Sequence, residues 1–181
     1  MDPAKFDPHA AVIQAFAYEP TLGIQLVSMG MEYTLPIADP VALQPFLKIS
    51  GQLQSTLRIS NHLDFVDEEA ASQAQESRGI YVTTTFRPTL TVLTSVYNIW
   101  NATTPLVQNV SSIGYTLIFQ RLPVTVAGNT NSFDLPSDAG NFVLCLFSVT
   151  WTDESDDTLV NSVTKTLIEA IEETAKTAGV F

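Results

Sequence analysis

Side chains able to do acid–base, nucleophilic or metal chemistry are sparse in this chain and poorly spaced for it. His62 is followed by Asp64, Asp67, Glu68 and Glu69, a stretch from which a metal site could be drawn. On a helix these spacings spread the carboxylates around more than half of the circumference instead of converging them on one point. The run therefore reads as the solvated, acidic start of a helix, and no metal ligand is assigned. His9 lies in a proline-flanked lead-in and reads as exposed. Cys145 is the single cysteine, which excludes an internal disulfide and a cysteine-cluster metal site. It lies in an apolar run and reads as a buried small hydrophobe, not a nucleophile. The acids between Asp153 and Asp157 lack the alternation and central glycine of a calcium loop. The motifs GxGxxG, GxxxxGK with Ser or Thr, GxSxG and HExxH are all absent. No catalytic residue and no cofactor-binding residue follows from these patterns. Two Asn-x-Ser/Thr sequons, at Asn101 and Asn109, are about what chance supplies in a chain this rich in Ser and Thr.

Polar residues inside apparent strands are more informative. Gln14, Thr83, Thr85, Thr116 and Gln120 occupy positions where apolar side chains would pack better. Buried amides and hydroxyls must be hydrogen-bonded, and a few polar groups on an apolar surface is how a ligand site is built. Placed on an edge or a wet face, the same residues would be ordinarily solvated, and both readings stand at this point.

The elements that must position these groups follow from periodicity. Period-two alternation, rich in aromatic and β-branched residues, predicts strands over 11–18, 24–33, 79–87, 113–119 and 141–151. Residues 19–23 (Glu-Pro-Thr-Leu-Gly) form a turn that joins the first two into a hairpin. A short helix is expected over 39–47, with Asp39 as N-cap and Pro40 as first helical residue. A longer helix is expected over 61–77, and another from Pro88 with Leu90, Leu93, Tyr97 and Trp100 as its apolar stripe. The last helix follows the acidic cap at Asp153–Asp157, buries Leu159, Val163, Leu167, Ile171 and Ala178, and ends at Gly179. Residues 126–140 read as a loop. The order is strand, strand, helix, helix, strand, helix, strand, strand, helix. It predicts an α+β fold: a mostly antiparallel sheet with helices packed on one face. Residues 142–149 are apolar on both phases of the alternation, which implies that both faces of that strand are covered. Helices can cover one. A second domain, a second copy, or a cofactor with its substrate would cover the other.

The chain has 181 residues, 45% hydrophobic and 15% charged, with a net charge of −11. That size suits one domain over residues 1–181 with a sizeable core. So acidic a chain lacks the basic footprint that nucleic acid or an anionic membrane requires, so neither is expected as a partner. No apolar run approaches the roughly 20 residues of a spanning helix. Residues 1–20 carry Asp2, Lys5 and Asp7 where a signal peptide needs a basic start and an apolar centre, so no signal peptide is expected there and the compartment stays open.

Several landmarks in this order carry a resemblance. Phe6-Asp7-Pro8-His9-Ala10 leads into a strand, and an acidic helix is followed by Arg78-Gly79-Ile80-Tyr81-Val82-Thr83-Thr84-Thr85-Phe86. One strand ends Phe119-Gln120-Arg121-Leu122-Pro123. Trp151-Thr152-Asp153 feeds a long helix that closes Ala175-Lys176-Thr177-Ala178-Gly179. From about Phe6 to Phe181 the chain resembles the substrate-binding middle domain of FAD-linked oxidases of the vanillyl-alcohol-oxidase and berberine-bridge-like type. The resemblance implies a sheet that roofs a flavin held by another domain. That FAD-binding domain is absent from this sequence and would be the partner. The parent reaction would oxidise an alcohol, amine or sugar by hydride transfer to flavin. The resemblance implies FAD in the parent enzyme, no tight binding of FAD by this chain alone, and no activity alone. Members are often secreted.

Gln120 matches the strand-end glutamine that commonly faces substrate in that family. Thr116 and Ile118 share its face by alternation. Thr83 and Gln14 complete the expected contacts to a small-molecule substrate. Arg121 stands where many relatives have Pro, and no position matches a catalytic base. A reading of a different class is a free-standing α+β binding or scaffold module that forms a homodimer through its sheet face.

Overall fold

The computed structural model describes residues 7–72, 77–122 and 140–181. The described residues form two compact units, one of residues 13–29, 77–122 and 140–181 and the other of 7–12 and 30–72. The expected loop over 126–140 falls outside the described residues, except for Gly140.

Five strands form one antiparallel sheet: β1 (Ala10–Glu19), β2 (Ile24–Tyr33), β3 (Arg78–Phe86), β4 (Gly114–Leu122) and β5 (Phe142–Trp151), in the order β2-β1-β4-β5-β3. The α+β class expected from the sequence is what the chain adopts. In the larger unit β4 pairs with β1 and β5, and β3 pairs with β5. Two long helices, α3 (Leu90–Val107) and α4 (Asp157–Thr177), share one core with one face of this sheet. Naming in chain order, α1 is Gln44–Leu47 and α2 is His62–Ser72.

The core is built from the odd-numbered row of the central strands. Tyr115 and Leu117 of β4, with Val143, Cys145, Phe147, Val149 and Trp151 of β5, are buried against Val96 and Trp100 of α3 and Val160, Leu167 and Ile171 of α4. Burying each such aliphatic side chain stabilises by roughly 1.5–3 kcal/mol. Aromatic rings form a ladder through it. Trp100 stacks on Tyr115 with centroids 6.3 Å apart, and Tyr115 meets Phe147 edge-on at 4.7 Å.

The buried stripe of α3 is offset from the expected one. Val92, Val96, Trp100, Thr104 and Val107 face inward, Leu93 and Tyr97 pack on the margin, and Leu90 is 83% exposed. The segment carries two overlapping apolar phases, and the phase with valines at 92 and 96 brings the helix close to the sheet. Thr89 caps α3, its hydroxyl oxygen accepting from the Val92 N–H at 3.2 Å. On α4, Val163, Leu167 and Ile171 are buried as expected, while Leu159 is 43% exposed and Ala178 is exposed. Gly179, at φ +68, ends α4. Its N–H donates to the Lys176 carbonyl and that of Val180 to the Ala175 carbonyl, the paired bonds of a left-handed helix terminus.

The smaller unit holds a 3-10 turn at Val41–Leu43, then α1 and α2. Asp39 does not cap this segment. Pro40 takes the cap position in extended conformation, and the Asp39 carboxylate accepts from the Gln44 side-chain amide instead. Residues 51–59 form no regular element, and α2 is exposed along its length up to Ala71.

Candidate binding face

Alternation along β4 and β5 gives the sheet a second face, away from the shared core. Three transverse rows follow from the strand register. Ala17, Thr116, Ser148 and Tyr81 make one, Ala15, Ile118, Leu146 and Thr83 the next, and Ile13, Gln120, Leu144 and Thr85 the third. With strands about 4.8 Å apart and same-face neighbours about 6.6 Å apart along a strand, the rows cover roughly 14 by 13 Å. Most of these residues are half-buried; Gln120, Thr83 and Tyr81 are exposed. The two faces of β5 thus differ. Its odd row is buried under the helices, and its even row is half-buried among the described residues.

Four of the five residues singled out for substrate contact, Thr83, Thr116, Ile118 and Gln120, converge on this face. Gln14 does not. It lies opposite Phe119, on the side that packs against the helices. The pairing of Ile13 with Gln120 sets this phase. β1 and β4 are distant in sequence, so their relative register is invisible to alternation within either strand. Tyr81, Leu144, Leu146 and Ser148 belong to the face and were not singled out. The even phase of β5 is the signal that would have found them.

The rows hold hydroxyl, amide, phenol and aliphatic groups; the charged side chains of β3 and β4 point the other way. Arg78 is bound to Asp157 of α4, its Nε donating to Oδ1 at 2.6 Å and its Nη2 to Oδ2 at 2.7 Å. The Arg121 Nη2 donates to the Asn141 Oδ1 at 3.0 Å.

The remaining reactive groups are accounted for elsewhere. Burial pushes the Cys145 thiol up to about 12, which keeps it protonated and inert. Burial likewise pushes the Tyr115 phenol up to about 12; its oxygen is hydrogen-bonded to the Thr103 hydroxyl at 2.7 Å. In the smaller unit Arg58 binds both Asp64 and Glu68, a pairing that the spacing of the acids alone does not reveal. Hydrogen bonds from Ser60 and then Arg58 hold Asp64 below its ordinary value, and Thr56 and then Arg58 do the same for Glu68. His9 is exposed, its Nδ1 2.7 Å from the Thr34 hydroxyl. No cluster of three or more His, Cys, Asp or Glu among the described residues could hold a metal ion. No helix among them is long and apolar enough to cross a membrane.

Two surface clefts lie on the helix side, away from the rows. One of about 360 Å³ is lined by residues that include Tyr18, Gln25, Asn101 and Thr104. The other, of about 320 Å³, lies among residues of α3 and α4 that include Thr91, Ser95 and Thr174. Across the first, the Gln25 amide donates to the Asn101 Oδ1 at 2.8 Å, which engages one of the two sequon asparagines. The candidate face is thus a surface, and it needs a second wall to enclose a ligand.

No protein-family profile matches the sequence, and no solved structure matches it significantly. Among curated proteins, 97% of the chain is 28% identical to a segment of an oligopeptidase, PhomG', of Diaporthe leptostromiformis, a segment that makes up 15% of that protein. Likewise 97% of the chain is 25% identical to part of the FAD-dependent monooxygenase CTB5 of Cercospora beticola and 26% identical to part of its counterpart in Cercospora nicotianae. The matched parts are 36% and 44% of those two proteins. The chain therefore spans less than half the length of the relatives it matches. The similarity to the monooxygenases supports a relation to FAD-linked oxidoreductases in general.

Proposed function

We propose that this chain is the substrate-facing domain of an FAD-dependent oxidoreductase, and that its open sheet face forms one wall of the substrate chamber while another domain holds the flavin. The observation that carries the reading is the convergence of Thr83, Thr116, Ile118 and Gln120 on a half-buried face of mixed polarity. The distant similarity to two FAD-dependent monooxygenases supports it. The similarity to an oligopeptidase involves a small part of that protein. The same stretch of this chain aligns with both kinds of protein, and only 15% of the oligopeptidase is involved.

The starts of the two long helices do not suit the flavin dinucleotide. Its diphosphate calls for a cationic cradle or an open helix N-terminus. The start of α4 carries Asp153, Glu154, Asp156 and Asp157. The start of α3 is capped by Thr89, and Arg58 and Arg78 are held by carboxylates. In this reading the chain's own share of the reaction is to orient the substrate and exclude water; it supplies no proton carrier on the face beyond the exposed Tyr81 phenol.

Adding FAD to the purified chain and following flavin absorbance through gel filtration tests the reading. The flavin is expected to elute apart from the protein; stoichiometric co-elution refutes the division of labour. The second reading, a homodimer through the same face, rests on the half-buried apolar residues Ile118, Leu144 and Leu146. Sedimentation decides between the two: a dimer that persists on dilution favours the second and a monomer the first.

A further inference from the structure

The cleft of about 360 Å³ on the helix side of the larger unit has a chemistry of its own. Its wall on α3 includes Asn101, Pro105 and Gln108, at spacings of four and three that put them on one side of the helix. Tyr18 of β1 and Ile24 and Gln25 of β2 also line it. Pro105 stands inside α3. Having no N–H, it leaves the Asn101 carbonyl without the donor four residues on that a carbonyl in a helix normally meets. That carbonyl runs from one lining residue toward the other. Pro105 and Gln108 belong to the last turn and the C-cap of α3, where the aligned peptide dipoles add negative potential.

The side-chain amides add further acceptors. Gln25 is fixed from two sides, its Nε2 donating to the Asn101 Oδ1 at 2.8 Å and its Oε1 accepting from the Tyr97 hydroxyl at 3.4 Å. Each amide oxygen carries two lone pairs, so these bonds leave capacity at Gln25 and Asn101. No residue lining the cleft is charged. The sequence has no Lys or Arg from Pro88 to Gln120 or from Ala10 to Tyr33. The charge beside Tyr18 is acidic, the Glu19 carboxylate, which accepts from the Thr21 N–H at 2.9 Å.

An anion would find no cation here and would meet the negative end of a helix. An ammonium group has three N–H donors and no acceptor. The Asn101 carbonyl and the amide oxygens can receive those donors, and Ile24, Pro105 and the Tyr18 ring offer apolar surface to a carbon chain behind it. We infer that this cleft binds a primary ammonium group carried on a short aliphatic chain, the chemistry shared by a free alkylamine and a lysine side chain. The inference does not rest on the substrate-wall reading, because the cleft lies on the other side of the sheet.

The test uses three probes of one shape that differ in charge at pH 7: n-butylamine (cationic), n-butanol (neutral) and butyrate (anionic). Each is titrated at low salt into the isotope-labelled chain while the side-chain amide resonances of Gln25, Asn101 and Gln108 are followed by NMR. n-Butylamine is expected to shift them saturably, n-butanol to bind at least about threefold more weakly, and butyrate not to bind. Pro105→Ala returns an N–H to the Asn101 carbonyl. It is expected to raise Tm, since proline disfavours a helix interior, and to weaken n-butylamine about tenfold, the worth of one hydrogen bond from a charged donor. Binding lost from a stabilised protein is not an effect of unfolding. Asn101→Asp keeps the oxygen that accepts from Gln25 and adds a charge. It is expected to raise n-butylamine affinity about fivefold, the worth of one ion pair near 4 Å in water. The amide of Nα-acetyl-lysine separates the two sources: binding tighter than n-butylamine assigns the site to a lysine of a partner, and weaker binding assigns it to a free amine. Resonances that stay still, n-butanol or butyrate matching n-butylamine, undiminished binding by Pro105→Ala, or no gain from Asn101→Asp overturns the inference.

Discussion

Asp157 accepts three hydrogen bonds, two from Arg78 and one from the indole N–H of Trp151 at 2.8 Å. The Arg78 guanidinium is the main reason its carboxyl is held below the ordinary value. A carboxyl depressed in the folded state contributes stability that is complete above its unfolded value, near 3.9, and is lost as pH falls through the folded one. Asp157→Asn is therefore expected to lower Tm at pH 7 and to shrink the further fall in Tm below about pH 4. Thermal melts of both proteins from pH 7 to pH 2.5 check this; parallel profiles would mean that the pair contributes nothing. Cys145 yields a second expectation. With its thiol pushed up to about 12 by burial, it should not react with a disulfide reagent such as DTNB at pH 8 in the native protein, and should react fully in denaturant. Its role as a small core residue was legible from the apolar run around it. The partners of Asp157 were not, because Arg78 lies 79 residues away in sequence.

Elements show where local sequence signals suffice and where they stop. The strands were readable to within a few residues because β-branched and aromatic residues are concentrated in them; in β4 and β5 one phase meets the core and the other does not. The stripe of α3 was misplaced because leucine and valine occupy both candidate phases, and only packing against β4, β5 and α4 chooses between them. Gln14 illustrates the same limit on the sheet: its strand was legible, its face was not, because face depends on pairing with a distant strand. The cap of α3 invites a direct measurement. Thr89→Ala removes the acceptor for the Val92 N–H and is expected to cost about 1 kcal/mol in urea denaturation. Gly114 lies opposite Thr150, and a Cβ there would stand 2.5 Å from the Thr150 hydroxyl. Gly114→Ala should destabilise, and Thr150→Ala in the same chain should recover most of the loss. Additive effects in that double-mutant cycle would show that the two residues are not in register.

At the scale of the whole molecule the two units differ in how much they bury. The larger holds the helix-covered core, whereas the smaller buries few side chains, Leu43 among them, and exposes Val41, Leu53, Ile59 and Leu63. An exposed helix of 11 residues such as α2 is marginal by itself. Native-state hydrogen exchange is therefore expected to run orders of magnitude faster over α2 than over β4, β5 and the middle of α4. Equal protection would show α2 to be part of the same cooperative structure. Both tryptophans belong to the larger unit: Trp100 is fully buried and its indole N–H has no hydrogen-bond partner among the described residues, and Trp151 is 3% exposed. Intrinsic fluorescence is consequently a reporter for that unit alone. Its emission should start blue and resist iodide quenching, and its unfolding curve should be blind to melting of α2. An earlier transition by far-ultraviolet circular dichroism than by tryptophan emission would therefore signal sequential loss of the two units, and a single emission transition would not establish two-state behaviour for the chain.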